Sequence, residues 1–171
     1  LEKNNIHRQY LKILEERGEV IRVIKGLYVA PDKDINEFFI MGERYKTGIF
    51  SHNTALYFYH LTDRTPMSLD MTFPSNVRVN NDFLEPHYIK PELHSLGETT
   101  LKLEDGTNIK IYDLERTICD IIRDRNKIDP QIFNTAMKEY FKRKAVTYLS
   151  AHNRLHILKV VPRGIEPLSK V

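Results

Sequence analysis

Ser51 and His52 stand side by side, and Asp63, Arg64 and Asp70 follow close behind. These are the side-chain types of a Ser-His-Asp hydrolase. A serine and a histidine that adjoin in sequence rarely face each other on a helix, however, and Ser51 is placed to cap one. The hydrolase reading is therefore weak. Asp63, Asp70 and Asp82 would serve a metal-dependent nuclease only if loops gathered them around a divalent ion. His52, His60, His87 and His94 lack the i, i+4 spacing of a helical metal pair, so structural histidines are the default. Cys119 is the sole cysteine and falls on an apolar face, where a thiol is packed rather than reactive. There is no Gly-rich phosphate loop, no HExxH and no nucleophile elbow. The chain is not expected to be an enzyme, and no catalytic residue, metal or cofactor is assigned.

The opening residues carry a different chemistry. Ile6 to Arg17 place Ile6, Tyr10, Ile13 and Leu14 on one helical stripe, with Asn5 as cap and Gly18 as stop. His7, Arg8, Gln9 and Lys12 then face outward in the leading turns, and Glu15 and Glu16 come last. That order opposes the helix dipole, which favours acids first, and it suits a leading turn that meets an anion. Val20 to Ala30 follows as a short β-hairpin turning at Lys25-Gly26, because glycine supplies the positive φ of a two-residue turn. A helix with a polar leading edge and a hairpin bearing Arg22 and Lys25 is the latter half of a winged helix-turn-helix. In such a domain the helix reads base edges and the hairpin reaches phosphate. Two further helices should precede the recognition helix, and Leu1 to Asn5 cannot supply them, so the domain reads as truncated at its front.

Further elements must carry this head. Asp34 is expected to start a helix to about Lys46, in a capping box with Glu37 and with Ile35, Phe38, Phe39 and Gly42 inside. Ile49-Phe50 suggests no more than an edge strand, and Ser51 to Leu61 a buried helix. Strands are expected at Ser68 to Phe73 and near Pro86 to Lys90. Asp105-Gly106 between two alternating arms is the clearest hairpin signal. Asp113 caps a helix to about Asn126 with Leu114, Ile118, Ile121 and Ile122 inside, and Asp129-Pro130 opens another to about Arg143. The fold class is α+β.

The 171 residues suit one or two small domains, and 41% hydrophobic with 29% charged residues is ordinary for a soluble globular chain. Apolar runs fall far short of the ~20 residues that cross a bilayer, so no membrane partner is expected. One cysteine fits a reducing compartment, and the expected location is the cytoplasm. Residues 1–30 carry six basic and four acidic groups, residues 31–137 carry 12 and 17, and residues 138–171 carry eight and two. Basic ends around an acidic middle suit a polyanion at the ends and a protein partner at the centre.

Four blocks in order resemble one family: IHRQYLKILEERGEVIRVIKGLYVAPD, GIFSHNTALYFYHLTDRTP, DMTFPSNV and IYDLERTICDIIRDRNKIDPQIFNTAMKEYFKR. Together they resemble the AbiEi-type antitoxins of type IV toxin-antitoxin systems, over about Ile6 to Lys144. The resemblance implies a winged helix-turn-helix that binds double-stranded operator DNA and represses its own operon. It also implies a C-terminal α/β domain needed to counteract a nucleotidyltransferase-like toxin. By position, Arg8, Gln9 and Lys12 fall on the recognition helix and Arg22 and Lys25 on the wing. The expected layout is a partial DNA-binding domain over 1–31, an antitoxin domain over 32–144, and a divergent, partly disordered tail over 145–171. The alternatives are a protein-interaction module without DNA binding and a metal-dependent nuclease.

Overall fold

The computed structural model describes residues 8–144, which are mixed α and β. The expected tail over 145–171 and the predicted site residue His7 lie outside the described residues. Two compact units emerge: 8–46 together with 102–109, and 47–101 together with 110–144.

In the first unit, helix α1 (Arg8–Glu16) ends where Gly18 adopts φ +71°, with the Glu19 N–H bonded to the Leu14 carbonyl. This is a left-handed glycine stop. The expected apolar stripe is only partly covered. Leu11 and Leu14 are half-buried, but Tyr10 is 57% and Ile13 42% exposed. Strands β1 (Ile21–Ile24) and β2 (Leu27–Val29) pair antiparallel, with Ile24 opposite Leu27 across the Lys25-Gly26 turn. Gly26 has φ +89°, as a two-residue turn of this kind requires. Helix α2 (Glu37–Arg44) begins later than expected. Asn36, not Asp34, is its cap, its side chain accepting from the Phe38 N–H at 2.9 Å.

The larger unit carries most of a mixed sheet, whose Lys102, Asn108 and Ile109 are grouped with the first unit. Its strands are β3 (Ile49–Phe50), β4 (Leu69–Pro74), β5 (Leu84–Ile89), β6 (Glu98–Lys102) and β7 (Asn108–Tyr112), in the order β5-β4-β3-β7-β6. The two-residue β3 is therefore the middle of the sheet and not its edge. It runs antiparallel to β4 and parallel to β7, and both its side chains are buried. Gly48, just before it, admits the sheet closely: a Cβ there would sit 2.7 Å from both Met71 Cε and Phe73 Cε1. Gly48→Ala should therefore cost about 1–3 kcal/mol through overpacking, read as a lower urea midpoint with an unchanged slope.

Helix α3 (His52–Phe58) packs against β4 and against α5 (Leu114–Arg123), and α5 packs against α6 (Pro130–Lys144). Leu56, Leu61, Ile118, Ile121, Ile128 and Ala136 form their common apolar cluster. Asp113 caps α5 as expected, accepting from the Arg116 N–H at 2.8 Å, and Asp129 accepts from the Gln131 N–H at 2.7 Å at the head of α6. Helix α5 stops at Arg123, and Arg125–Lys127 continues as a 3-10 turn. A short helix, α4 (Pro91–His94), was not signalled by the sequence. No helix among the described residues is long and apolar enough to cross a membrane.

Candidate functional site

The residues expected to meet DNA belong to the first unit. Gln9, Lys12, Arg22 and Lys25 are all exposed, and Lys25 occupies the hairpin turn. Arg8 begins α1. Lys12 reaches Glu16 at 3.8 Å, both side chains largely in water. Such a pair is worth only about 0.3–0.5 kcal/mol, so Lys12 stays exchangeable toward another anion.

A second constellation lies in the larger unit, around the Ser51-His52 pair weighed above for a hydrolase. Ser51 stands at the N-cap of α3, yet its side chain makes no capping bond. Instead His52 takes φ +45°, a left-handed conformation that strains a non-glycine residue. That twist brings its Nδ1 to 3.0 Å from Ser51 Oγ, so the two neighbours do face each other. His52 Nε2 lies 3.2 Å from Asp124 Oδ2. An ionised carboxylate only accepts, which places the proton on Nε2 and leaves Nδ1 to accept from the Ser51 hydroxyl. Thr72 Oγ1 in turn donates to Ser51 Oγ at 2.8 Å. The row has the order of a hydrolytic triad, but Ser51 and His52 are fully buried, so no substrate carbonyl reaches Oγ.

His87 on β5 stacks on His52, the ring centroids 3.6 Å apart and the planes within 12°. Its Nε2 donates to the buried Asp70 at 2.7 Å. His52, Asp70 and His87 offer three donor atoms within 4.8 Å of one another. A metal ion must lie near the plane of each imidazole that binds it. Two near-parallel rings at stacking distance share no such point, so this arrangement does not fit one ion on both histidines. Of the three aspartates weighed for a metal, only Asp70 joins the cluster, and Asp63 and Asp82 are exposed elsewhere.

Helix α5 closes the cluster with charge. Asp120 accepts from Arg116 Nε at 2.9 Å and Arg123 Nη1 at 2.6 Å, and Arg123 Nη2 reaches Asp124 at 3.1 Å. Arg116 Nη1 also donates to the Leu93 and Leu96 carbonyls, and its guanidinium lies 4.2 Å over the Tyr112 ring. Arg116, Asp120, Arg123 and Asp124 recur at i, i+4, i+7 and i+8. The spacing of this helical stripe is legible in the sequence, but its burial is not.

Burial holds the His52 pKa below its ordinary 6.5, and the bond from His52, then that from Arg123, holds Asp124 well below the usual carboxylate range. The Cys119 thiol is pushed up by burial and is a poor nucleophile. A depressed folded-state pKa on His52 means that the unfolded chain binds its proton first. Stability should thus fall as pH drops below about 6.5, with a slope of at most about 1.4 kcal/mol per unit for this one proton. Urea unfolding at pH 7.5, 6.5 and 5.5 reads this directly; a flat profile would contradict it.

No protein-family model matches the chain, and no curated protein matches it.

Proposed function

We propose that the chain is a DNA-binding antitoxin of the type IV class. It represses its own operon through α1 and the β1–β2 hairpin, and counteracts a nucleotidyltransferase-like toxin through the larger unit. The observation that carries this reading is the succession of α1, a glycine stop and a tight hairpin within one compact unit, with Lys12, Arg22 and Lys25 all exposed. Cationic groups on a hairpin beside a helix suit phosphates flanking a major groove. The four sequence blocks that resemble AbiEi-type antitoxins support the same reading. The protein acts as a binder in the cytoplasm, without cofactor or catalytic residue.

A transcriptional fusion to the chain's own upstream region tests repression, and co-expression with the adjacent toxin gene tests rescue. The proposal expects both, and it fails if the fusion is unaffected and the toxin stays lethal. Within it, Lys25→Ala should weaken binding to every duplex alike and flatten the plot of log affinity against log salt by about one unit.

A further inference from the structure

We propose that the stacked His52–His87 pair is a one-proton latch that holds strand β5 on the sheet near neutral pH and releases it when a second proton arrives. The inference is independent of the DNA-binding reading.

The geometry carries it. The two imidazoles lie face to face at 3.6 Å, and each donates to its own carboxylate, His52 to Asp124 and His87 to Asp70. Every packed element contributes to their electrostatics. Helix α3 gives His52 and its neighbour Ser51, β4 gives Asp70 and Thr72, and β5 gives His87 and the exposed Glu85, which stands opposite Asp70 in the register. From α5 and its C-cap come Arg116, Asp120, Arg123 and Asp124, and α4 adds His94, which bonds the Thr72 carbonyl at 3.1 Å. Lys127 touches Asp124 at 3.7 Å from a largely solvated position, where water screens it. The charges linked to the rings by a continuous run of side-chain hydrogen bonds are three carboxylates, Asp70, Asp120 and Asp124, against two guanidinium groups, Arg116 and Arg123. The balance is minus one. A single imidazolium brings the cluster to neutrality, whereas two would leave a net positive charge with like charges in stacking contact.

The two rings differ in freedom. His52 is sealed, tied at both nitrogens and held at φ +45°. His87 is partly open to water and sits on β5, the outer strand, whose sheet neighbour is β4. Repulsion is relieved by moving His87 outward, which also strips Asp70 of its bond and loosens β5 along its register with β4. The sheet edge then becomes available for pairing.

The test is amide hydrogen exchange, taken as protection factors from pH 8 to 5, with an NMR titration of the histidine rings on the same samples. The latch predicts that the pair takes up one proton without change in β5. Uptake of the second should coincide with at least a tenfold loss of protection across Leu84–Ile89 relative to Asn108–Tyr112. His87→Phe keeps a flat ring in the stack without a proton site, and should abolish the pH-dependent difference between the strands. The proposal is overturned if both imidazoles charge while β5 stays protected, if β5 and β7 lose protection in parallel, or if one equivalent of zinc at pH 7.5 shifts both rings and protects β5.

Discussion

Arg116→Ala should lower the stability of the protein by about 3–5 kcal/mol, the range seen when one partner of a buried ion pair is removed. Arg116 and Asp120 are both completely buried. Deleting the guanidinium leaves the Asp120 carboxylate with Arg123 alone and takes a charged donor from the Leu93 and Leu96 carbonyls. It also removes a cation from the face of Tyr112. Arg116→Lys should recover little, because one ammonium cannot reproduce a fork that serves Asp120 and two carbonyls at once. Replacing both partners by apolar residues, as in Arg116→Met with Asp120→Leu, should cost much less than the sum of the single changes. The reason is that no buried charge is then left alone. Urea unfolding measures all of these. Lys110, whose pair with Glu98 at 3.3 Å is partly solvated, supplies the comparison: Lys110→Ala should cost under about 1 kcal/mol. If Arg116→Ala unfolds at the same midpoint as Lys110→Ala, the buried network does not hold the larger unit together.

Phe50→Ala is the second large effect expected, about 3–5 kcal/mol for a fully buried phenyl ring. The position of β3 explains the size. Phe50 lies between Met71 of β4 and Ile111 of β7, so truncation opens a void at the middle of the sheet. An edge strand would have relaxed around the loss. Tyr88 on β5 is partly exposed, and Tyr88→Ala should cost markedly less in the same assay.

What the sequence could tell follows a physical division between local and distant causes. The Lys25-Gly26 and Asp105-Gly106 turns, the Asp113 cap and the Asp129-Pro130 helix start are each decided by a few neighbouring residues, and they were legible. The start of α2 is not fixed by local residue type, because Asp34 and Asn36 are both good caps and only the folded chain shows that Asn36 accepts from the Phe38 N–H. The placing of β3 was hidden because two residues carry no alternation, and only pairing with β4 and β7 centres them. Tyr10 and Ile13 fit a helical stripe, but periodicity says which residues share a face, not whether anything covers it.

The sites divide in the same way. The exposed positions of Gln9, Lys12, Arg22 and Lys25 follow from helix and hairpin geometry. The buried cluster does not. Helical spacing keeps Ser51 and His52 apart only where the backbone at His52 is right-handed, and there it is left-handed. Asp124, 72 residues on, and His87 on a separate strand could be joined to His52 only by the folded chain.

Equilibrium anisotropy with the duplex upstream of the chain's own gene, against a scrambled duplex of equal composition, bears most directly on the proposed role. A repressor of its own operon should bind the upstream duplex at least ~10³-fold more tightly at physiological salt. Lys12→Ala, Arg22→Ala and Lys25→Ala together should flatten the salt slope by about three. Equal affinity for both duplexes, or a slope that the triple variant leaves unchanged, would contradict that role.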